Sequence, residues 1–235
     1  HTVFVSEWLS DLNLMNLKNS SFKSVIRNGA DRNIFNSENL IPWNKEEPFK
    51  FVTHHWGNNW MKGFDIYKLI DDYICSKEWA GKLKFTYIGN LPKNFEFKNV
   101  RYIKPLDGSD LVSELKKHHG YVTGSINEPG GNHQNEAALC GLPLLYRNSG
   151  CLPEYCEGFG IPFSYENFES ALKLYLKKYT SIFLNMKNFS LYSRKTNSSY
   201  LKLFQRLLSQ REEIIKKRNL FRSPRDLIRN QIIIF

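Results

Sequence analysis

Short runs of β-branched and aromatic residues alternate with longer amphipathic stretches from about residue 50 onward. The short runs are typical of strands bounded by turns, and the longer stretches have the apolar spacing of helices. The predicted strands read FKFVTHH, KLKFTYIG, VRYI, GYVTGS, LPLLYR and GIPFSY. The predicted helices between them cover residues 64–76, 110–118, 135–140 and 168–179.

This alternation predicts right-handed βαβ units and therefore an α/β fold, with a parallel sheet flanked by helices on both faces. In such sheets ligands bind beyond the carboxyl ends of the strands, at loops that enter helices. We therefore look for function in those loops.

The ends of the chain differ from this alternating middle. TVFVS followed by SEWLSDLNL reads as one more strand and helix, which precede the turn-like NGAD. After the last predicted strand and helix the pattern is helical with polar breaks, and Ser223-Pro224 is typical of a helix start. The sequence predicts three segments: a remnant of another unit at 1–20, a main domain at 21–180, and a helical tail at 181–235.

The charge is unevenly distributed. The chain of 235 residues has a net charge of +10, but residues 187–235 alone hold 12 Lys or Arg against 3 Asp or Glu. The rest is nearly neutral, so we expect no nucleic-acid partner for the main domain. The basic tail leaves three alternatives open: peripheral contact with anionic lipid headgroups, an acidic substrate, or a solvated helix face.

Other compositional features restrict the class of protein. No apolar run approaches the roughly 20 residues that a bilayer span needs, and the start shows no signal-peptide pattern. The four cysteines form no CxxC pair, and with the histidines they show no metal-ligand spacing. We expect a protein without bound metal that is cytoplasmic, either free or peripheral to the membrane.

The densest chemical signal reads SINEPGGNHQNE at residues 125–136, named the acidic loop from here on. It combines a strand end, a glycine-rich turn and a helix start. Gly130 and Gly131 permit close backbone approach to a ligand, and the free amides of a first helical turn attract oxyanions. Glu136 could accept hydrogen bonds from a ribose diol, and Glu128 would meet the group attached to the phosphate. The alternative is a plain turn with two solvated glutamates.

Lys62 is the second signal, because it follows a predicted strand and the polar loop WGNNWM and then opens a helix with Gly63. From that place its ammonium group would reach the crevice at the carboxyl ends of the strands. There it could neutralise a diphosphate without a metal. The alternative is an exposed lysine at a helix start.

The spacing Glu128-x7-Glu136, followed by AALCGLP, resembles the E-x7-E signature of a large family of retaining GT-B glycosyltransferases that includes sucrose and glycogen synthases. Further motifs resemble that family in the same order over roughly residues 20–180. They are NGAD with Phe35, Lys62-Gly63, Ser125 at the start of the acidic loop, and Ser149-Gly150 with Pro153-Glu154. The resemblance implies a Rossmann-like donor domain, the C-terminal half of the GT-B fold.

By this resemblance the chain would transfer a sugar from a UDP- or GDP-type nucleotide sugar to a glycan, lipid or protein acceptor, with retention of configuration and no cofactor. Lys62 would hold the diphosphate, Glu128 the transferred sugar, and Glu136 the ribose. The leaving diphosphate would deprotonate the acceptor. The implied catalytic residues are Glu128 and Lys62, and the implied substrate-binding residues are Glu136, Pro129, Gly130, Gly131, Asn132, His133, His55, Gly57 and Leu106.

The chain also departs from the family pattern. Where the family has an arginine before the lysine, this sequence has His54-His55-Trp56-Gly57. Either histidine could replace that cation, but adjacent strand residues face opposite ways, so we expect at most one to reach the ligand. Pro129 replaces a glycine and removes one amide donor. For His133 we expect a sugar-hydroxyl contact or solvent exposure rather than a role as general base.

Two other readings remain open. One is a different enzyme of the same fold, such as a sugar-nucleotide epimerase or a glycan phosphorylase. The other is a basic module that binds nucleic acid or membrane through its tail. A full GT-B enzyme needs two such domains, and this chain has room for one. We therefore expect this chain to bind a nucleotide sugar but to transfer poorly by itself, with its last helix, 222–235, crossing back to the acceptor domain.

Overall fold

The computed structural model describes residues 1–12 and 23–218. It divides into two compact units, His1–Thr196 and a second unit that begins at Asn197. The first unit holds the sheet and all the predicted site residues, and it is the unit described below unless stated otherwise.

Six parallel strands form the main sheet, in the order β5-β4-β3-β6-β7-β8. A separate two-stranded parallel sheet pairs β1 with β2. The strands are β1 Thr2–Phe4, β2 Lys23–Val25, β3 Phe49–His55, β4 Leu83–Gly89, β5 Arg101–Ile103, β6 Gly120–Thr123, β7 Leu144–Arg147 and β8 Gly160–Phe163. The predicted α/β class with a parallel sheet is confirmed.

The helices lie between the strands in the predicted alternation. They are α1 Glu7–Asp11, α2 Phe64–Ile74, α3 Gly108–Leu115, α4 His133–Leu139, α5 Leu152–Cys156, α6 Phe168–Asn185, α7 Ser193–Ser209 and α8 Arg211–Arg218. Helix α6 runs six residues beyond its predicted end, because Tyr179 and Ile182 continue the stripe of buried residues. The predicted helical C-terminal part is confirmed by α7 and α8.

The order of the strands contains one reversal. From β3 the chain adds β4 and β5 on one side, and from β6 it adds β7 and β8 on the other. Strands β3 and β6 pair directly, with Phe51 opposite Gly120 and Val52 opposite Tyr121. Loops that leave two such strands in opposite directions open a crevice between them, the usual place for a ligand in open α/β sheets. The fold therefore places the candidate site beyond His55 and Thr123.

The domain boundaries stay predictions. The boundary expected near residue 20 falls in 13–22, and the last helix expected at 222–235 falls in 219–235, both outside the described residues. The opening segment contacts the main domain closely, because the Tyr155 hydroxyl donates to the Val5 carbonyl over 2.5 Å and the Glu154 carboxylate accepts from the Glu7 amide over 3.0 Å. Whether 1–20 also belongs to another unit is a prediction, as is membrane contact through the tail.

His118 and His119, between α3 and β6, are both buried. The His118 ring shares hydrogen bonds with the Glu114 carbonyl at 2.9 Å and with Thr86 Oγ1 at 2.8 Å. Burial lowers the pKa of His118 to about 4. Its ring is therefore neutral at pH 7, and it interacts with the end of α3 through the hydrogen bond to the Glu114 carbonyl rather than through a charge.

The buried His118 predicts a pH dependence of stability. Because its folded pKa lies below the reference of about 6.5, the unfolded chain binds more protons, so stability is full above pH 6.5 and falls toward pH 4. His118→Gln should remove about 3 kcal/mol of that fall in the free energy of unfolding. Urea unfolding from pH 4 to pH 7 measures it. The exposed His1 gives the control His1→Gln, and equal slopes for both variants would contradict the assignment.

The close contact of Gly63 with Gly124 predicts that a side chain at position 63 destabilises the fold. Its φ is +98°, and a Cβ there would lie 2.5 Å from Gly124 Cα. Gly81 also has a positive φ, +74°, but a Cβ there meets no atom within 4 Å. Gly81→Ala should cost about 1–2 kcal/mol, from the left-handed backbone alone. Gly63→Ala should cost about 3 kcal/mol or more, because the clash is added. Equal melting curves for the two variants would contradict this packing.

Candidate functional site

The loops after β3 and β6 meet at the crevice. The loop after β3 ends in one turn of 3-10 helix, Trp60–Lys62, and Gly63 then opens α2. The Ile126 amide of the acidic loop donates to the Met61 carbonyl over 2.7 Å. This bond and the close approach of Gly63 to Gly124 join the two loops, so residues far apart in sequence become neighbours.

Lys62 and Glu128, the two predicted catalytic residues, form an ion pair with Nζ and Oε2 2.8 Å apart. The Glu128 side chain is 6% exposed and that of Lys62 26% exposed. A Cβ on Gly57 would lie 3.1 Å from Lys62 Cε, so the glycine gives room for the lysine stem. The ammonium group therefore stands at the edge of the crevice, where an anion can reach it.

The backbone around Glu128 is fixed from behind. The Cys151 amide donates to the Glu128 carbonyl over 2.8 Å. Gly150 has a φ of +61°, and a Cβ there would lie 2.5 Å from the same carbonyl oxygen. Only a residue without a side chain lets the two backbones approach so closely. The Ser149-Gly150 motif thus holds the carboxylate that faces Lys62.

Glu136 lies in the first turn of α4 and is not a freely solvated carboxylate. Its Oε2 is 2.7 Å from His54 Nε2, and the His54 side chain is buried. His54 Nδ1 is also buried and has no hydrogen-bond partner among the described residues. The pair holds the Glu136 carboxylate at the crevice beside the end of β3.

His55 and His133 form a second contact, with ring centroids 4.6 Å apart. His55 Nε2 shares a hydrogen bond of 2.6 Å with the Tyr67 hydroxyl, and His133 Nε2 shares one of 3.0 Å with Thr123 Oγ1. Burial, followed by electrostatic repulsion from the neighbouring histidine rings and from Lys62, holds the pKa of both rings well below the usual range. Both are neutral at pH 7, so His55 does not supply the cation that the family's arginine would carry.

The expectation of solvent exposure for His133 is wrong, because the ring is buried against Thr123 and His55. A sugar-hydroxyl contact for His133 stays a prediction. His54 and His55 are adjacent in β3 and hydrogen-bond different partners, as expected for strand neighbours that face opposite sides of the sheet. Both ring centroids nevertheless lie within 6.3 Å of the His133 ring centroid. The end of β3 therefore packs both histidines beside the acidic loop.

Four successive carbonyls of the acidic loop are all held by protein donors. Besides the Cys151 amide on Glu128, the bonds are Ser6 Oγ to the Pro129 carbonyl at 2.6 Å, Asn28 Nδ2 to that of Gly130 at 2.6 Å, and Gln134 Nε2 to that of Gly131 at 2.5 Å. In a trans peptide the C=O and the next N–H point in opposite directions, and the described chain has no cis peptide. The amides of Gly130, Gly131 and Asn132 therefore point away from these donors.

The other predicted substrate-binding residues are 129–132 of the acidic loop itself and Leu106 outside it. Pro129 and Asn132 are exposed, and Gly130 and Gly131 are half-buried. A Cβ on Gly130 would meet Val5, and one on Gly131 would meet the His133 ring, so both glycines are required by packing. Leu106 lies between β5 and α3, half-buried against the core. A contact between Leu106 and the substrate stays a prediction.

Sequence reasoning missed two of the loop's supports. Ser6 gave no signal, since a serine before a helix reads as an ordinary N-cap, which it also is, accepting from the Leu9 amide over 3.1 Å. Asn28 belongs to the NGAD motif, and that membership is a signal that could have found it. Both come from the opening residues and act on a loop about one hundred positions later.

A separate cavity of about 650 Å³ lies away from the crevice. It is bounded by the segment after NGAD and by the ends of α4 and α6, among them Arg32, Leu139, Phe183 and Lys187. None of the predicted site residues lines it. Within residues 1–12 and 23–218, no group of three or more His, Cys, Asp or Glu is arranged to hold a metal ion. In the same ranges, no helix is long and apolar enough to span a bilayer.

Solved structures that share this fold include glycosyltransferases of the GT-B type. The chain is 14% identical to sucrose-phosphate synthase from Thermosynechococcus elongatus, with a TM-score of 0.64 over 88% of this chain and 58% of the other. The catalytic domain of Arabidopsis thaliana starch synthase IV, bound to ADP and acarbose, is 16% identical, with a TM-score of 0.65 over 88% of this chain and 55% of the other. The pneumococcal O-GlcNAc transferase GtfA, in complex with UDP and GlcNAc, is 14% identical, with a TM-score of 0.63 over 88% of this chain and 45% of the other.

The chain thus spans less than two thirds of the length of these structures. No protein-family profile matches the sequence, and no curated protein does. At this identity the comparison establishes the fold: a Rossmann-like parallel sheet of the GT-B type.

The supports of the acidic loop predict a local change in stability. Ser6→Ala or Asn28→Ala removes the donor to one loop carbonyl, at a cost of about 1 kcal/mol, and should speed amide exchange in residues 125–136 about fivefold. Hydrogen exchange with peptide resolution measures this.

Ser181→Ala is the matched control, because Ser181 Oγ also donates to a backbone carbonyl, that of Lys178 at 2.8 Å, but on the exposed side of α6. Unchanged exchange in 125–136 for both Ser6→Ala and Asn28→Ala would contradict the proposed support.

Proposed function

We propose that this chain is the donor-binding part of a retaining glycosyltransferase that uses a nucleoside diphosphate sugar. The observation that carries the proposal is the Lys62–Glu128 ion pair at the reversal of the sheet, with Glu136 in the same crevice. A cation, a carboxylate and a ribose acceptor are the three groups that such a donor needs. The GT-B fold supports the proposal, and the residues of the site give it its chemistry.

Lys62 is the proposed diphosphate ligand. Its ammonium group is a compact point charge with three donors, and one of them is used by Glu128. Phosphate oxygens that enter the crevice would replace or share that carboxylate. Since His55 and His133 are neutral, Lys62 is the principal full positive charge that we assign to the leaving group. The proposal includes no metal and no cofactor.

Glu128 and the acidic loop are proposed to hold the transferred sugar. The carboxylate released from Lys62 would accept hydrogen bonds from sugar hydroxyls, and the amides of residues 130–132 would donate to phosphate or sugar oxygens. In the described parts of the chain, the Gly130 and Asn132 amides have no protein acceptor. Glu136, held by His54, would accept from the ribose diol.

For the transfer step we propose retention without a covalent intermediate on the protein. The bond between the anomeric carbon and the diphosphate oxygen breaks, and the acceptor oxygen bonds to that carbon on the same face. The acceptor proton moves to the departing phosphate oxygen. Lys62 stabilises the charge that develops on the diphosphate.

For the nucleotide base of the donor and for the acceptor, we propose a class of molecule rather than a single compound. The starch synthase structure contains ADP and that of the pneumococcal transferase contains UDP, so nucleoside diphosphates occupy two proteins of this fold. We propose a UDP- or GDP-type donor, with ADP as the comparison, and a glycan or lipid-linked acceptor.

Calorimetric titration with UDP, GDP and ADP in the presence of EDTA tests the donor site. We expect one nucleoside diphosphate to bind, and we expect Lys62→Ala to weaken it about tenfold while the matching monophosphate loses less, because one charge-assisted contact to the leaving group is removed. Glu136→Ala should weaken both by a similar factor.

The exposed Lys93→Ala serves as the control for loss of a surface charge. Failure of every nucleoside diphosphate to bind, or an equal effect of Lys62→Ala and Lys93→Ala, would contradict the proposal.

A further inference from the structure

The loop between β3 and Lys62 carries an unusual concentration of exposed apolar surface. Trp56 is 64% exposed, Trp60 54% and Met61 49%, all within six residues. Single exposed apolar residues are common on protein surfaces, but a group beside a site marks a surface that binds something. We call residues 56–61 the tryptophan loop.

The tryptophan loop is held in place. The Trp60 ring packs edge-on against Phe64 and Phe95, with centroids 6.0 and 5.6 Å away. Asn90 Nδ2 donates to the Trp56 carbonyl, and the Ile126 amide donates to that of Met61, each over 2.7 Å. The indole rings are therefore presented by a fixed backbone, which lowers the entropy lost on binding.

The tryptophan loop also adjoins the proposed donor site. Gly57 lies against the stem of Lys62, and Met61 directly precedes Lys62. A molecule seated on the loop is then next to the group that would leave as diphosphate. This is the position that an acceptor must occupy.

The composition of the loop indicates which molecule that is. It reads WGNNWM, with no charged residue, and the amides of Asn58 and Asn59 are exposed beside the two indoles. A sugar ring has apolar C–H faces that cover an aromatic ring and hydroxyls that pair with amide donors and acceptors.

Two other partners fit less well. A lipid surface favours lysine and arginine around an inserting tryptophan. Residues 56–61 contain neither, and the adjacent Lys62 is paired with Glu128. A stable protein interface buries about 1,600 Å², more than three side chains supply.

We propose that the tryptophan loop is a saccharide-binding surface, which stacks a neutral glycan acceptor on Trp56 and Trp60 beside the donor site. The inference rests on the proposed function, and it narrows the acceptor from a glycan or lipid to a glycan. Trp60, braced by Phe64 and Phe95, is the main stacking residue.

Nuclear magnetic resonance of the chain labelled with ¹⁵N-tryptophan tests this directly. The five indole N–H signals come from Trp8, Trp43, Trp56, Trp60 and Trp79. Maltopentaose, cellopentaose and mannopentaose are added separately up to about 10 mM, the range of weak saccharide binding. We expect at least one of them to shift the signals of Trp56 and Trp60 and to leave that of the buried Trp79 unchanged. Trp60→Ala should weaken the binding about tenfold.

Ile41→Ala is the control, because Ile41 is 76% exposed and lies outside the loop. No shift of Trp56 or Trp60 with any pentasaccharide would overturn the inference. So would a response of these signals only to vesicles of phosphatidylcholine and phosphatidylglycerol, which would indicate a membrane surface. UDP, GDP and ADP titrated into the same sample keep the two claims separate. Nucleotide binding without saccharide binding would overturn the saccharide-binding surface and leave the donor site standing. Saccharide binding without nucleotide binding would overturn the donor site.

Discussion

The contact of two glycines, Gly63 and Gly124, sets the geometry on which the rest of the crevice depends. They follow β3 and β6, the two strands between which the sheet reverses, and a Cβ on either would meet the backbone of the other loop within 3.0 Å. Because neither has a side chain, the two loops touch. Lys62, immediately before one glycine, is thereby brought within 2.8 Å of Glu128, four residues after the other. The chemistry of the site follows from a backbone contact rather than from the ion pair.

Around that contact lie buried polar groups that form only some of the hydrogen bonds available to them. His54 Nδ1, Ser125 Oγ, Gln134 Oε1 and Asn135 Oδ1 are buried and have no partner among the described residues, and all four lie in or beside the acidic loop. An unpaired buried polar atom costs about 1–3 kcal/mol, so folds keep such atoms mainly where a ligand or water uses them. His55 and His133 are neutral in the same place, and the ammonium group of Lys62 is the positive charge that faces Glu128. The arrangement suits one anionic group delivered to one ammonium.

The periodicity of the sequence was sufficient to predict the sheet, since each strand alternates with a helix and turn residues mark the boundaries. The predicted strand FKFVTHH coincides with β3. The location of Lys62 and Glu128 in one crevice could be predicted from motif and fold together, because parallel strands bring their carboxyl ends to one edge. Their direct ion pair was not predicted. The partners of His54 and His55 could not be predicted, since they depend on which side chains of α2 and α4 face the end of β3. The contact of Ser6 with Pro129 joins residues 123 positions apart and has no local signature.

The motif residues also divide into two physical classes that sequence alone does not separate. Lys62, Glu128 and Glu136 present charge to the crevice. Gly150 and Glu154 instead build the frame: Gly150 allows close backbone approach behind Glu128, and Glu154 accepts from the amides that open α1. Asn28 has the same kind of role, holding the Gly130 carbonyl. Half of the pattern that resembles the glycosyltransferase family thus supports the loop, and the other half faces the proposed donor.

The most direct test of the donor site is a crystal structure of this chain with a bound nucleoside diphosphate, grown without divalent metal. We expect phosphate oxygens within hydrogen-bond distance of Lys62 Nζ, the Lys62–Glu128 pair opened or shared, and the ribose hydroxyls hydrogen-bonded to Glu136. A nucleotide bound instead in the cavity beside Arg32 and Phe183, with Lys62 still on Glu128, would contradict it.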